Sequence, residues 1–406
     1  MKMSELRLLI FLILGVFILT SCDTKTTENE GINFSDPNLE QAIRYALNIH
    51  TGPITEQDVL SIVTLEASEE SISDLTGMEF LTNLKYLNLS RNNISDITPL
   101  AGLTKPEEID LSSNDINDYL HIISNFVNLE TLSLSNNNIS DVSVISNLKN
   151  LKYLYLDWNY IIDISSFSKL TQLVRLSLAD NQITDISSIS NLVNLEYLSL
   201  SQNNDLENIS SISILTNLKI LKLRVCQLND LSALSSLSSL ENIYLGHNQI
   251  RDIQPISRLT MLKELAMENN QIFNISPLLG LTDLRVLNFE ENQIEDIEVL
   301  SELTNLELIR FGSNNVSDIN ALSDLTRLNE LWCESNIISE ITALTQLPEI
   351  KDIRLQFNEV TDIIPLVNNI GFAETDKVNL TGNPLDSISE TVYIPKLIAR
   401  GVSVDW

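Results

Sequence analysis

Cysteine, glycine, histidine and positive charge are all scarce in this chain. The 406 residues hold 3 cysteines, 11 glycines and 3 histidines, and 25 Lys+Arg stand against 55 Asp+Glu for a net charge of −30. The charge excludes the nucleic-acid-binding classes, which need a basic face to displace counterions from phosphate, and it disfavours lying flat on an anionic membrane. So few glycines leave little room for a phosphate-cradling loop. His50, His121 and His247 lie far apart in the sequence, and in an extended repetitive fold they cannot meet at one metal or one catalytic triad. No catalytic residue and no cofactor or metal site is expected, and the chain reads as a non-enzyme.

Long apolar runs are also missing, with one exception at the start. Leu8 to Leu19 is apolar, is preceded by Lys2 and Arg7, and runs into Thr20-Ser21-Cys22. Some twelve residues fall short of the roughly twenty that span a bilayer, so residues 1–21 read as a cleaved secretory signal. The stretch Leu19-Thr20-Ser21-Cys22 resembles the lipobox of bacterial lipoproteins, which implies acylation of Cys22 and places the protein in the bacterial cell envelope, lipid-anchored outside the cytoplasm. Residues 22–31 are polar and read as a flexible tether. With the signal removed, only Cys226 and Cys333 remain, too few for a disulfide framework.

The stability must therefore come from a core, and the sequence supplies one by repetition. Units begin at Ile62, Leu84, Pro106, Leu129, Leu151, Leu173, Leu195, Leu218, Leu240, Leu262, Leu284, Leu306, Leu328 and Ile350, almost all 22 residues apart; those at Pro106 and Leu195 carry one extra residue. The consensus is L-x-x-L-x-L-x-x-N-x-I-x-D-I-x-x-L-x-x-L-x-x, as in "LVRLSLADNQITDISSISNLVN" from Leu173. This is a leucine-rich repeat pattern. It predicts an α/β solenoid, a horseshoe with a parallel concave β-sheet, in which the leucines at the fourth and sixth positions of each unit face inward. The ninth-position Asn, for example Asn159 and Asn181, should satisfy loop backbone groups away from water, with Cys226 taking that place in the Leu218 unit. The Asp of each "SDI"-type element should cap a helical turn on the convex side.

With its 22-residue unit, the pattern resembles the internalin family and related bacterial surface proteins. The segment "FSDPNLEQAIRYALNI", with Leu39, Ala42, Ile43, Ala46 and Leu47 at helical spacing behind Ser35 and Pro37, together with the capping-box form "TEQDVL", is similar to the helical N-terminal cap of that family. The expected organisation is a helical cap over 32–61, fourteen repeats over 62–374, and a last partial repeat with a mixed C-terminal cap over 375–406. The domains that usually follow internalin repeats are not found, so the lipid on Cys22 is expected to be the only membrane attachment. With both ends of the solenoid capped, the chain is read as a monomer.

Aromatics make up only 6% of the chain, yet "LKYLYLDWNYI", residues 151–161, holds four. If the leucines point inward, Tyr153 and Tyr155 point outward and Trp158 sits on the rim. The same outward column continues with Arg175 and Tyr197, an order that would set the guanidinium between two tyrosine rings. Lys222, Arg224 and Tyr244 follow, and then an acidic stretch with Glu264, Glu268, Glu290 and Glu291. Tyr, Trp and Arg dominate protein interface hot spots, so these residues are the candidate partner-binding patch. Arg310, Glu330, Trp332 and Arg354 form a second one. The expected ligand is a protein, from a host or from the envelope. A carbohydrate or peptidoglycan stacked on the same aromatics is the alternative.

Overall fold

The computed structural model describes residues 31–118 and 120–406; the signal peptide, Cys22 and residues 22–30 of the expected tether lie outside the described residues. Sixteen three-residue strands form one parallel sheet in strict sequence order, from β1 (Thr64–Glu66) to β16 (Ser403–Asp405). The register follows the repeat: Leu154 of β5 (Tyr153–Tyr155) pairs with Leu176 of β6 (Arg175–Ser177), and Leu176 with Leu198 of β7 (Tyr197–Ser199). Each of those leucines is fully buried, and the inward faces of all units merge into one continuous core. No unit could bury this face alone, so stacking is what makes the fold stable.

The convex side is built from short 3-10 turns, such as Ser165–Lys169 and Ser187–Asn191, rather than from α-helix. A 22-residue unit that has already spent residues on a strand and two loops leaves too few for longer helices. The Asp column caps these turns as expected: Asp163 Oδ1 accepts from Ser165 N–H at 2.7 Å and Asp185 Oδ1 from Ser187 N–H at 2.8 Å. Asn208 and Asn274 do the same work where Asp is absent.

The Asn column is buried. Asn181 Oδ1 accepts from Ile161 N–H of the preceding unit at 3.0 Å, and its Nδ2 reaches the carbonyls of Leu156 and Leu178. Asn203 and Asn383 extend the column, and the repeat reading passed over both. Both cysteines fall where the repeat puts them, Cys226 in the Asn column and Cys333 on an inward strand position, buried and unpaired.

At the N-terminal end, α1 (Pro37–Leu47) and α2 (Glu56–Val59) close the first edge. The cap of α1 is Asp36, not Ser35. One carboxylate oxygen accepts from Asn38 and Leu39 N–H, and the other accepts from Ser73 N–H, which ties the helix to the first repeat. Leu39 and Ile43 are buried as the helical spacing predicts, and Ala42 and Leu47 pack partly buried against the core, but Ala46 is exposed. Thr55 and Asp58 form the reciprocal capping box at α2. At the other end, α3 (Ile364–Asn368), β15 (Lys377–Asn379), α4 (Ile394–Ile398) and β16 close the sheet.

Candidate functional site

Each strand offers two outward side chains, at the third and fifth positions of its unit, and the parallel register stacks them into two columns along the concave face. One column runs Tyr153, Arg175, Tyr197, and the other Tyr155, Ser177, Ser199. The next strands, β8 (Ile220–Lys222) and β9 (Asn242–Tyr244), continue the second column with Lys222 and Tyr244. The outward aromatics and cations therefore meet across a few strands, although they are distant in sequence.

The cations lie on aromatic faces. The Arg175 guanidinium carbon is 3.9 Å from the centre of the Tyr197 ring, and the Lys222 ammonium lies 5.6 Å from Tyr197 and 5.3 Å from Tyr244. The expected placement of Arg175 between Tyr153 and Tyr197 is thus realised on one side only. Equal spacing along the column fixes where the Cβ atoms stand, but the side chain has folded toward Tyr197 and leaves Tyr153 38% exposed. Trp158 occupies the rim with 59% exposure.

The hydroxyl groups are held as well. Tyr244 OH donates to Glu264 Oε2 at 2.7 Å, and burial together with this carboxylate pushes its pKa up to about 12. Burial raises the Tyr155 phenol, against the nearby Arg175 charge, which lowers it. Asp157 is occupied by Ser177 Oγ at 2.6 Å and Ala179 N–H at 2.7 Å.

Arg224 departs from the group. It pairs with Glu268 at 2.6 Å, two units on. The intervening unit has Gly246 at the equivalent position, where a Cβ would come within 2.2 Å of Glu268 Oε1. The absent side chain is what lets the two charges meet, and their pairing removes Arg224 from the free cations.

The second patch is more tightly built than its sequence suggests. Across β12 (Leu308–Arg310), β13 (Glu330–Trp332) and β14 (Asp352–Arg354), the Arg310 and Arg354 guanidinium carbons lie 3.7 and 3.5 Å from the centre of Trp332, one on each partner strand. Arg354 also has Asp352 at 3.8 Å, while Glu330 joins no ion pair among the described residues. Glu334 leans over Gly312, and burial followed by the Glu334 charge raises the pKa of Glu290.

One feature escaped the sequence reading, an ion-pair ladder at the second position of the units. Lys152 pairs with Glu130 at 2.8 Å, Lys219 with Glu196 at 2.8 Å and Lys263 with Glu241 at 2.6 Å. Opposite charges recurring one repeat apart were the available signal. The three histidines stay apart, with His50 after α1, His121 on the convex side and His247 just past a strand; among the described residues no three His, Cys, Asp or Glu side chains come together as metal ligands.

The family described as Leucine Rich repeats (2 copies) matches residues 82–121, 127–169, 171–213 and 216–258. Among solved structures, an internalin (inlF) from Listeria monocytogenes is 30% identical, covers 94% of this chain and 99% of its own, and has a TM-score of 0.65. A leucine-rich repeat protein of Leptospira interrogans is 22% identical over 86% of this chain and 97% of its own, with a TM-score of 0.75. A plant peptide hormone receptor in complex with RGF2 is 19% identical over 87% of this chain and 69% of its own, with a TM-score of 0.63. Comparison with curated protein sequences returns no match.

Proposed function

The chain belongs to the internalin-like leucine-rich repeat proteins, and from that premise we propose that it holds a protein partner in its concave face while a lipid on Cys22 tethers it to the bacterial envelope. The patch around Tyr153, Tyr155, Trp158, Arg175, Tyr197, Lys222 and Tyr244 is the contact surface, with Arg310, Glu330, Trp332 and Arg354 as a second contact. The observation that carries this reading is the run of cations laid on aromatic rings from Arg175 to Tyr244. Such side chains are already ordered before a partner arrives, which lowers the entropic cost of binding, and their types are those that anchor protein interfaces.

The same observation favours a protein over a sugar. Sugar rings stack on open aromatic faces, whereas Trp332 carries an arginine from each neighbouring strand and Tyr197 is covered by Arg175, which leaves only the exposed Tyr153 and Trp158 of the patch for such stacking. Peptide groups and side chains can bond to the free edges of the guanidinium groups instead. A photo-crosslinking residue in place of Tyr153 should give a covalent adduct with a single protein, and the same residue in place of convex Ser168 should give none. Glycan-array binding that depends on Tyr153 and Tyr155, without a protein adduct, would favour the carbohydrate alternative. Envelope attachment is tested separately: Cys22→Ser should abolish fatty-acid incorporation, and unchanged labelling would remove the lipid from the proposal.

A further inference from the structure

Two sets of cations on this protein have contrasting environments. Those at the second position of the units, Lys152, Lys219 and Lys263 among them, each meet a glutamate of the adjacent unit. Arg175 and Lys222, on the concave face, meet no carboxylate within ion-pair distance among the described residues, and rest on tyrosine rings instead. Other cations of the chain, such as Lys149 and Lys169, also lack an ion pair among the described residues; what sets Arg175 and Lys222 apart is that they lie close together on the concave face, each against a tyrosine ring.

Their surroundings keep them so. The outward positions from β5 to β9 carry tyrosine, serine, isoleucine, asparagine and the two cations, with no acid. The neighbouring carboxylates are turned to other partners: Asp157 accepts from Ser177 and Ala179 and Glu264 from Tyr244 and Asn242, which leaves their charge in place but outside ion-pair distance of Arg175 and Lys222, and Glu268 pairs with Arg224. A tyrosine face stabilises a cation without cancelling its charge, so Arg175 and Lys222 keep their positive charge on a floor of tyrosine, serine and asparagine.

We infer that this island receives an acidic segment of the protein partner, a run of aspartate or glutamate side chains laid across β5 to β9. The inference rests on the protein-binding reading above and adds the chemistry of the partner. Four strand intervals at ~4.8 Å span about 19 Å, which accommodates roughly six extended residues at ~3.3 Å each. The acidic stretch that follows, with Glu264, Glu290 and Glu334, sets the far limit of the segment by like-charge repulsion.

The probe is fluorescein-labelled hexaglutamate, read by anisotropy against the full-length chain at low salt, with hexaglutamine and hexalysine alongside. Binding of hexaglutamate against a net charge of −30 is the expected result, together with at least about ten-fold weakening in the double variant Arg175→Gln, Lys222→Gln. The double variant should melt like the parent, since both side chains point outward, and Lys149→Gln on the convex side should bind as the parent does. Hexaglutamate binding no better than hexaglutamine, or equally well to the double variant, would overturn the inference. Hexalysine binding in the absence of hexaglutamate binding would overturn it too, since the net charge of −30 and not the two cations would then decide what the face attracts. A concave photo-adduct obtained alongside any of these negative results leaves the protein-binding reading in place and removes only the acidic segment.

Discussion

Asn181→Cys should destabilise the fold by about 2 to 4 kcal/mol, whereas Cys226→Ala, in the same column, should cost only about 1 kcal/mol. Asn181 Oδ1 accepts the buried N–H of Ile161 at 3.0 Å, and Nδ2 donates to the carbonyls of Leu156 at 3.0 Å and Leu178 at 3.2 Å. Cysteine cannot reproduce this. The Ile161 N–H would be left without an acceptor, at about 1 to 3 kcal/mol, while each carbonyl would lose one of two donors at roughly half a kcal/mol apiece. Asn159 and Asn203 remain as the second donors to Leu156 and Leu178. At Cys226 the corresponding N–H belongs to Leu206. The extra residue of the Leu195 unit lets that N–H turn back to Asn203 O at 3.0 Å, so no group awaits the side chain at 226. The thiol makes only long contacts, at 3.6 Å to Leu200 O and 3.7 Å to Arg224 O. Urea unfolding followed by circular dichroism, with the slope checked for constancy, measures both. Equal costs, or a gain of more than about 1 kcal/mol from Cys226→Asn, would show that the inserted residue does not do the work assigned to it.

Truncation of inward Leu154 to Ala should cost about 2 to 5 kcal/mol by opening a cavity in a core that has no slack, and a melting temperature unchanged from the parent would contradict its full burial. Burial and the Glu334 carboxylate hold the Glu290 carboxyl above its ordinary 4.5, so the folded chain binds that proton more tightly than the unfolded one. Its stabilising contribution is present in full below that pH and is lost as pH rises through the raised value. Glu290→Gln should therefore match the parent in melting temperature near pH 4 and exceed it near pH 7; a difference that does not change with pH contradicts this. Burial pushes the Cys226 thiol up to about 12 and Cys333 well above the ordinary thiol range. Neither should react with iodoacetamide at pH 8 until the chain is unfolded, and native labelling mapped by peptide mass spectrometry to Cys226 or Cys333, rather than to Cys22, would place that residue on the surface.

Periodicity carries some features of this molecule fully and others not at all, and Trp332 and Arg175 separate the two. The repeat places every Cβ, since a period of 22 with parallel in-register strands returns each position to the same face. The inward leucines, the Asn column and the outward patch were therefore readable as a list of positions. It does not place side-chain ends. The sequence reads Tyr153-Arg175-Tyr197 and Arg310-Trp332-Arg354 as equivalent alternations of ring and cation, yet only the second closes into a stack on both sides. Position in the repeat cannot make that distinction, because it does not set the rotamer each long side chain adopts. The same limit explains Asn203, whose unit is longer by one residue, and Asp36, which competes with Ser35 for one cap and wins because its second oxygen reaches Ser73. The concave surface of this solenoid thus takes its individual character at the places where its repeats differ. Gly246 is one such difference, since the side chain it lacks leaves room for Glu268 to reach Arg224 two units away and so takes one cation of the concave face into an ion pair.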